Sequence, residues 1–382
     1  MVAKRRRKPV RTQRTTLLVR RTIWGLGGVA LSFLIAVAVA VGLDHFAPNK
    51  VTASTNSVST TSTSVPALTS VTLSAVGDTN LGMTPNVPAN PVAWFSPVTA
   101  ALSAPIEFAN LEGTFTSATN SKCGLASTNC YAFKNPISFA ATYRRVGFNV
   151  LNSANNHSHD FGAQGVTDTT KALLNAGIAQ GGLPGQIAVV TENGVKVAFV
   201  DFAPYANTNN LLDSAAEREL ILRAKKSASL VVVYMHVGAE GPSADHVTRK
   251  VEMYVGENRG NAYAFAHAAV DDGANLVLGS GPHVLRGMEF YKGVLIAYSL
   301  GDFTNYHSFS TYGDLALSGI LHVTLASNGL FQSAHFTSVR LEPSGQAVLD
   351  PTHASTEFVS QLSKADFPST AAKITPNGTV TP

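Results

Sequence analysis

The sequence predicts an α/β fold of sheets covered by helices, preceded by one N-terminal transmembrane helix. After Val71, short and nearly continuous apolar runs alternate with longer segments of helical periodicity, which is typical of strands buried between helices. Before that point, Ile23–Leu43 is an uncharged run of 21 residues. The chain has 382 residues, of which 45% are hydrophobic, so it can bury a sizeable core.

Positive charge is concentrated at the N-terminus. Nine Lys or Arg residues lie among the first 21 residues, and no acidic residue accompanies them. Subtracting these nine charges from the formal net charge of +4 leaves −5 for the residues after Arg21. Because a nucleic-acid-binding face needs clustered positive charge, we expect no nucleic-acid partner for this mildly acidic body.

The run Ile23–Leu43 is long enough to cross a membrane. At 1.5 Å per helical residue, it spans a hydrocarbon core of about 30 Å. The basic residues 1–22 precede it, so the positive-inside rule places them in the cytoplasm and residues 44–382 outside. We therefore expect a single-pass protein of the cell membrane, anchored in the lipid bilayer by Ile23–Leu43. A cleaved signal peptide is the alternative, because small residues lie around Ala36–Ala40.

Residues 44–70 are interpreted as a flexible stalk. Twelve of the 20 residues from Val51 to Ser70 are Ser or Thr and none is charged, so the stretch cannot bury enough apolar surface to fold. The folded body is expected over residues 71–350. A polar C-terminal tail is expected over residues 351–382, with loose chain from about Lys364.

Six strands and four helices are predicted in the first part of the body. The strands are expected at 71–76, 106–111, 148–154, 195–203, 229–236 and 275–279, and the helices at 138–147, 166–178, 213–228 and 261–273. After Met288 the pattern changes to strands with tight turns near Lys292–Gly293 and Asn328–Gly329. This change predicts an antiparallel portion of sheet and not a second domain.

The two cysteines lie in one loop rich in Gly, Ser and Asn. Cys123 and Cys130 lack the further sulfur or histidine ligands that a metal site built from cysteine needs. In an extracytoplasmic loop, such a pair is more simply a disulfide that closes a small ring.

Polar side chains follow most of the predicted strands. Because ligands bind at the carboxyl ends of strands in α/β sheets, we expect these side chains to converge although they are far apart in sequence. The candidates are Asp78, Glu112, Asn156, His157, His236 and His283. Carboxylate, amide oxygen and imidazole together suit one or two divalent ions such as Mn, Fe(II) or Zn. Such ions activate water for hydrolysis, and a nearby histidine that binds no metal can protonate the departing oxygen.

The same residues resemble the ordered motifs of the CapA/PgsA capsule-synthesis family. The motifs are Gly77-Asp78, Asn110-Leu111-Glu112, Asn155-Asn156-His157 with Asp160 and Gly162, His236-Val237-Gly238 with Glu240, Gly279 to Val284, and Tyr298 to Phe303. They run from about Val71 to Leu341. That family is similar to the calcineurin-like metallophosphatases, so the resemblance implies a four-layer α/β/β/α sandwich with a dinuclear metal site. It also implies a role in capsule or poly-γ-glutamate synthesis beside membrane-bound synthase subunits.

The resemblance implies a role for each matching residue. Asp78 would bind one metal, Glu112 would replace the bridging Asp, and Asn156 with His236 would bind the second metal. His283 would match the second His of the final Gly-His-x-His motif. His157, with Asp160, would form the catalytic pair near the leaving group. Supporting roles are expected for Asn80, Asn155 and Glu240.

Three positions depart from the patterns that the resemblance leads us to expect. Asn80 and Gly281 stand where metallophosphatases have ligand histidines, and Asp302 stands where Asn is expected. Each metal would therefore lack one usual imidazole. Three functions stay open. They are a metal-dependent hydrolase acting on an anionic polymer or phosphoester, a non-catalytic module that binds a polymer or synthase, and an extracellular phosphoesterase for nutrient scavenging.

Overall fold

The computed structural model describes residues 69–124 and 130–382. The predicted basic tail, the transmembrane run Ile23–Leu43 and nearly all of the stalk lie outside these residues. Among the helices of the two described ranges, none has the length and apolar character needed to cross a membrane.

The body contains seven α-helices and twenty strands within the described residues. The helices are α1 (Pro91–Phe95), α2 (Thr99–Leu102), α3 (Phe139–Val146), α4 (Gly162–Ala176), α5 (Ser214–Ser227), α6 (Ala262–Asp272) and α7 (Ala354–Asp366). The strands are β1 (Ser70–Asn80), β2 (Ile106–Leu111), β3 (Thr114–Phe115), β4 (Lys134–Asn135), β5 (Val150–Asn152), β6 (Ala179–Gly181), β7 (Ala188–Glu192), β8 (Val195–Phe202), β9 (Leu230–His236), β10 (Met253–Tyr254), β11 (Glu257–Asn258), β12 (Leu276–Ser280), β13 (Met288–Tyr291), β14 (Val294–Ala297), β15 (Asp302–Asn305), β16 (Leu317–Ala326), β17 (Phe331–Leu341), β18 (Ala347–Leu349), β19 (Lys373–Ile374) and β20 (Thr379–Thr381).

Two large sheets form the body. The larger sheet has the order β19-β20-β17-β16-β1-β2-β5-β6, with β15 beside β1 and β18 beside β17. The smaller sheet has the order β13-β14-β12-β9-β8-β7. Strands β1, β2, β5 and β6 run parallel to one another, as do β8, β9, β12 and β14. The antiparallel strands occupy the flanks of both sheets.

Three apolar clusters show how the layers pack. The first joins the inner faces of the two sheets, where Phe108 of β2 stacks on Phe199 of β8 with ring centroids 5.4 Å apart. The second lies between the larger sheet and α1–α4 and includes Tyr143. The third lies between the smaller sheet and helices α5 and α6 and includes Phe265. The order of layers is therefore helix, sheet, sheet, helix.

The prediction of a mixed α/β fold is confirmed. Each of the ten predicted strands and helices in the first part of the body has a counterpart, with ends that differ by a few residues. The two predicted antiparallel turns are also present. Lys292 and Gly293 join β13 to β14, and the Asn328–Gly329 turn joins β16 to β17.

The expectation of loose chain after Lys364 is wrong. Helix α7 continues to Asp366, and β20 pairs with β17 inside the larger sheet. Phe367 and Val380 are each 1% exposed, so this segment contributes to the core. The short strands of this segment carry few apolar residues at irregular spacing, and long-range pairing holds them in place. Local periodicity therefore does not predict them.

A change of strand partner occurs at Asp78. Strand β1 pairs with β16 up to Ala75, and beyond a bulge it pairs with β15, so that Asp78 lies beside Asp302. Gly77 permits this close approach, because a Cβ at that position would collide with the carbonyl oxygen of Gly301. Bulges commonly re-aim side chains next to functional sites, and this one lies between Ala75 and Asp78.

Candidate metal centre

The predicted site residues converge at the carboxyl ends of the parallel strands of both sheets. Strand β1 supplies Asp78, and β9 supplies His236 as its last residue. The loops that follow strands β2, β5 and β12 supply Glu112, Asn156, His157 and His283. The strand ends of both sheets therefore contribute side chains to one cluster.

Asp78 lies at the centre of the cluster and is 1% exposed. Its Oδ1 accepts hydrogen bonds from Asn110 Nδ2 at 2.7 Å and from the Ser280 hydroxyl. Its Oδ2 lies 3.2 Å from His283 Nδ1. Burial raises the pKa of Asp78, but the close approach of His283 and the charge of the nearby imidazoles outweigh it and leave the pKa below its usual value.

Glu112 is also buried, with one oxygen on each side of the cleft. Its Oε2 accepts from Asn110 Nδ2 at 2.5 Å, and its Oε1 lies 3.8 Å from His157 Nε2. Burial, followed by repulsion from Asp78, raises the pKa of Glu112 well above its usual value. A cation beside Glu112 would relieve this penalty.

His236 faces both carboxylates. Its Nδ1 lies 3.9 Å from Asp78 Oδ1 and 3.9 Å from Glu112 Oε2, and its Nε2 lies 3.0 Å from Asn156 Oδ1. Burial lowers the pKa of His236 to about 3, so the imidazole is neutral at physiological pH. Neutral imidazole is the form that binds metals.

His283 belongs to a second group with Asp302. His283 Nδ1 lies 2.8 Å from Asp302 Oδ1, and Asp302 is fully buried. The ring of Phe309 stacks on His283 with centroids 4.6 Å apart, which fixes the imidazole plane. Burial lowers the pKa of His283, but Asp302 and Asp78 outweigh it and raise the pKa well above its usual value.

His157 is held by Asp160 and not by the carboxylate cluster. Its Nδ1 lies 2.8 Å from Asp160 Oδ2, which also accepts from the backbone N–H of Phe133 at 2.6 Å. The other oxygen of Asp160 pairs with Lys122 Nζ at 2.7 Å. Burial lowers the pKa of His157, although the Asp160 carboxylate opposes this effect. Asp160 is fully buried, so it positions His157 and is not itself exposed to solvent.

The three residues that were expected to support the site each contact one of its residues. Asn155 Nδ2 donates to Asn110 Oδ1 at 2.9 Å, and Asn80 Nδ2 donates to the carbonyl of Glu112 at 2.8 Å. Glu240 accepts from Arg259, and its Oε2 lies 3.8 Å from His283 Nε2. Asn80 thus holds the chain at Glu112 and does not replace the missing imidazole.

The donor set fits divalent cations. Two groups of buried residues bring their ligand atoms within 4.8 Å of one another, namely Asp78, Glu112 and His236, and Asp78, His283 and Asp302. Asp78 Oδ2 and Glu112 Oε1 are buried and accept no hydrogen bond. A buried carboxylate oxygen without a donor is costly, and bound cations would relieve that cost.

The sequence did not single out several residues of the site as functional candidates. Asn110 links Asp78 to Glu112, and Ser280 donates to Asp78. Asp302 was noted only as a departure from the expected Asn. All three lie inside the quoted motifs, so the signal was present. Lys122 and Arg259 gave no such signal, because only the fold brings them to the cleft.

The cluster opens to a cleft of about 590 Å³. Asn156, His157 and His283 form its floor, and Tyr131, Tyr254 and Phe309 supply aromatic walls. Cys123 and Cys130, which flank one wall, form a disulfide with their Cα atoms 5.4 Å apart. The cleft gives a bound molecule access to His157 and to His283, which contacts the buried Asp78.

Residues 72–307 match the protein family described as bacterial capsule synthesis protein PGA_cap. The PGA biosynthesis protein CapA of Bacillus subtilis (strain 168) is 31% identical over 221 residues, covering 48% of this chain and 55% of that protein. A probable polyglutamine synthesis accessory protein of Mycobacterium tuberculosis is 33% identical over 165 residues, covering 39% and 43%. This chain therefore spans about half the length of the curated relatives it matches.

Among solved structures, a putative 5'-nucleotidase from Staphylococcus aureus superposes with a TM-score of 0.42 at 14% identity, covering 77% of this chain and 58% of that one. The family match covers well over half of the present sequence, and it includes all of the residues that line the proposed centre. The chain belongs to the bacterial capsule synthesis protein family.

Proposed function

We propose that this protein is a metal-dependent, phosphoesterase-like hydrolase that serves the synthesis of a capsular polymer such as poly-γ-glutamate. One observation carries the proposal. Asp78 Oδ2 and Glu112 Oε1 are buried without a hydrogen-bond donor, at the place where two sheets bring imidazoles together. Membership of the capsule synthesis family supports the polymer role, and the donor set supports the metal.

Five residues would hold one or two ions of Mn, Fe or Zn. They are Asp78, Glu112, Asn156, His236 and His283. A divalent ion at this place supplies positive charge that stabilises the negative charge developing on a phosphoryl group. The neutral His236 and the unpaired Oδ2 of Asp78 suit such an ion.

His157 would move the proton. Asp160 accepts a hydrogen bond from His157 Nδ1. This leaves Nε2 facing the cleft, 3.8 Å from Glu112 Oε1. Lys122 Nζ lies 2.7 Å from the other oxygen of Asp160 and helps to hold the carboxylate that orients the ring. His157 Nε2 is then available to take a proton from an attacking water or to give one to a leaving oxygen.

The polymer and its synthase are inferred from the relatives. The names of the relatives associate them with PGA biosynthesis and with polyglutamine synthesis as accessory proteins. We infer membrane-bound synthase subunits as partners and an anionic polymer or its phosphoester precursor as the substrate. The basic residues 1–22 and the apolar run Ile23–Leu43 support anchoring in the cell membrane, with residues 44–382 outside.

Hydrolysis of simple phosphate mono- and diesters by the purified full-length chain tests the proposal. We expect turnover that requires added Mn²⁺, Fe²⁺ or Zn²⁺ and falls at least about 100-fold in His157→Ala. His246→Ala is the matched control, since His246 also pairs with a carboxylate, Asp366, but lies outside the centre. Absence of turnover with every metal, or equal turnover in both variants, would contradict a hydrolase.

A non-catalytic role is favoured by one specific observation. Asn80 is bonded to the Glu112 backbone and Gly281 has no side chain, so two imidazoles usual in metallophosphatases are missing. If the protein only binds polymer or synthase, His157→Ala will leave surface polymer unchanged in cells, and deletion of residues 44–70 will abolish it. If the protein acts as a hydrolase, His157→Ala will cause loss of surface polymer.

A further inference from the structure

We propose that Asp78, and not Glu112, is the carboxylate shared between two ion positions, and that Asp302 is a ligand at the second position. The inference rests on the proposed metal dependence and assigns its ligands. The first position would use Asp78, Glu112 and His236, and the second would use Asp78, His283 and Asp302.

The two oxygens of Asp78 point to different partners. Oδ1 lies 3.9 Å from His236 Nδ1 and shares the Asn110 amide with Glu112 Oε2. Oδ2 lies 3.2 Å from His283 Nδ1. A carboxylate whose oxygens face two separate ligand sets is placed to bridge two ions.

Glu112 lacks this arrangement. Its Oε2 faces His236, but its Oε1 lies 3.8 Å from His157 Nε2, where residues 69–124 and 130–382 supply no second set of ligands. The pair formed by His283 and Asp302 contacts Asp78 and makes no hydrogen bond or ion pair with Glu112 within the described residues. Glu112 is therefore a terminal ligand of one position.

The backbone brings Asp302 to Asp78. Strand β15 begins at Asp302 and runs parallel to β1, with Asp302 and Asp78 in register. The backbone N–H of Asp78 also donates to the carbonyl of Gly301 at 2.9 Å. Two fully buried carboxylates are thus adjacent, and both approach the Nδ1 atom of His283, at 2.8 Å and 3.2 Å.

Nδ1 of His283 lies between two carboxylates. One N–H cannot make two strong hydrogen bonds at once, and Asp78 Oδ2 is left without a hydrogen bond of good geometry. Two buried carboxylates, Asp78 and Asp302, therefore lie against one nitrogen of His283. A divalent cation among the atoms of the second position removes the repulsion and satisfies the unpaired oxygen.

Asp302 also supplies what the sequence lacks. The usual imidazole at the second position would come from residue 80, which is Asn here and bonds to the backbone. Asp302 replaces that imidazole with a carboxylate. Two carboxylates and one imidazole form an oxygen-rich set, which suits Mn²⁺ better than Zn²⁺. The chemical class of the second ion is therefore a hard divalent metal.

Manganese binding by the purified full-length chain tests the assignment without any turnover. We expect two Mn²⁺ per chain and an exchange-coupled electron paramagnetic resonance signal from the shared carboxylate. Asp302→Asn and Glu112→Gln should each keep one ion, with an isolated six-line signal and at least about a tenfold weaker Kd for the other. Asp78→Asn should weaken both. Glu289→Gln, a buried carboxylate paired with an imidazole outside the centre, should keep two.

Each alternative gives a different result. If Asp302 only orients His283, the Asn side chain still accepts the Nδ1 proton, and Asp302→Asn will keep both ions with unchanged affinity. If Glu112 is the bridge, Glu112→Gln will lose the coupled signal together with both ions. Wild-type protein that binds no Mn²⁺ refutes the proposed metal dependence itself, and a single ion refutes the two-position assignment. Should Asp302→Asn fail to fold, His283→Gln removes the same position through its other ligand.

Discussion

Asp201 is expected to make the body less stable as pH rises from acid to neutral. It lies on β8, is fully buried, and neither carboxylate oxygen accepts a hydrogen bond. Burial raises its pKa from 3.8 to about 8. Between these values the folded state holds one more proton than the unfolded state, so the free energy of unfolding falls with pH.

The size of this effect follows from proton linkage. One group in this window lowers the free energy of unfolding by about 1.4 kcal/mol per pH unit, which gives about 4 kcal/mol between pH 4 and pH 7. Burial raises the pKa of Glu217 to about 8 and of Glu107 to about 7, so both act in the same direction. A variant at Asp201 is needed to separate the contribution of Asp201 to this pH dependence from those of Glu217 and Glu107.

Urea denaturation of wild type and Asp201→Asn at several pH values, in the presence of a chelator, measures that share. The advantage of the variant over wild type should grow by about 4 kcal/mol from pH 4 to pH 7, because the neutral amide does not titrate. The exposed Glu219→Gln controls for loss of one negative charge. A constant difference between Asp201→Asn and wild type across this range would refute the reasoning.

Three further predictions concern the packing between the sheets, a close backbone contact and the disulfide. Phe108→Ala should cost about 3–5 kcal/mol of unfolding free energy in urea, because it opens a cavity between the sheets, and Phe108→Leu should cost less; equal costs would contradict the inter-sheet role. Gly77→Ala should cost about 1–3 kcal/mol and weaken metal binding measured by calorimetry, since its Cβ meets Gly301 and displaces the adjacent carboxylate; wild-type binding would contradict this. Replacing Cys123 and Cys130 by Ser opens a short ring and should cost about 2–3 kcal/mol by thermal unfolding; unchanged stability would show that the ring does not constrain the unfolded chain.

The sequence predicted the elements whose local pattern is strong. Strand β9 is a continuous apolar run that ends in His236, and α5 is a long periodic segment capped by Asp213, whose carboxylate accepts from two backbone N–H groups. Both were expected within two residues of their ends. Short pieces such as β15 and β20 were not expected, because two to four residues carry no periodicity and form only through long-range pairing.

The same distinction between local pattern and long-range contact applies to the site. Asp78, Glu112 and His236 were predicted because strand ends carry ligands in α/β sheets, and the structure places them within one cluster. The sequence order could not show that Asp302 lies in register with Asp78, since 224 positions separate them and a change of strand partner brings them together. The resemblance to metallophosphatases implied Glu112 as the bridging carboxylate, whereas side-chain directions are visible only in three dimensions.

The central claim is that the buried cluster binds metal, and elemental analysis of the purified full-length chain tests it most directly. Wild-type protein should contain at least one transition metal ion per chain after dialysis. His236→Ala should lose it, because His236 faces both Asp78 and Glu112 at 3.9 Å. Metal-free wild-type protein after incubation with Mn²⁺, Fe²⁺ and Zn²⁺, or equal metal content in His236→Ala, would contradict the account.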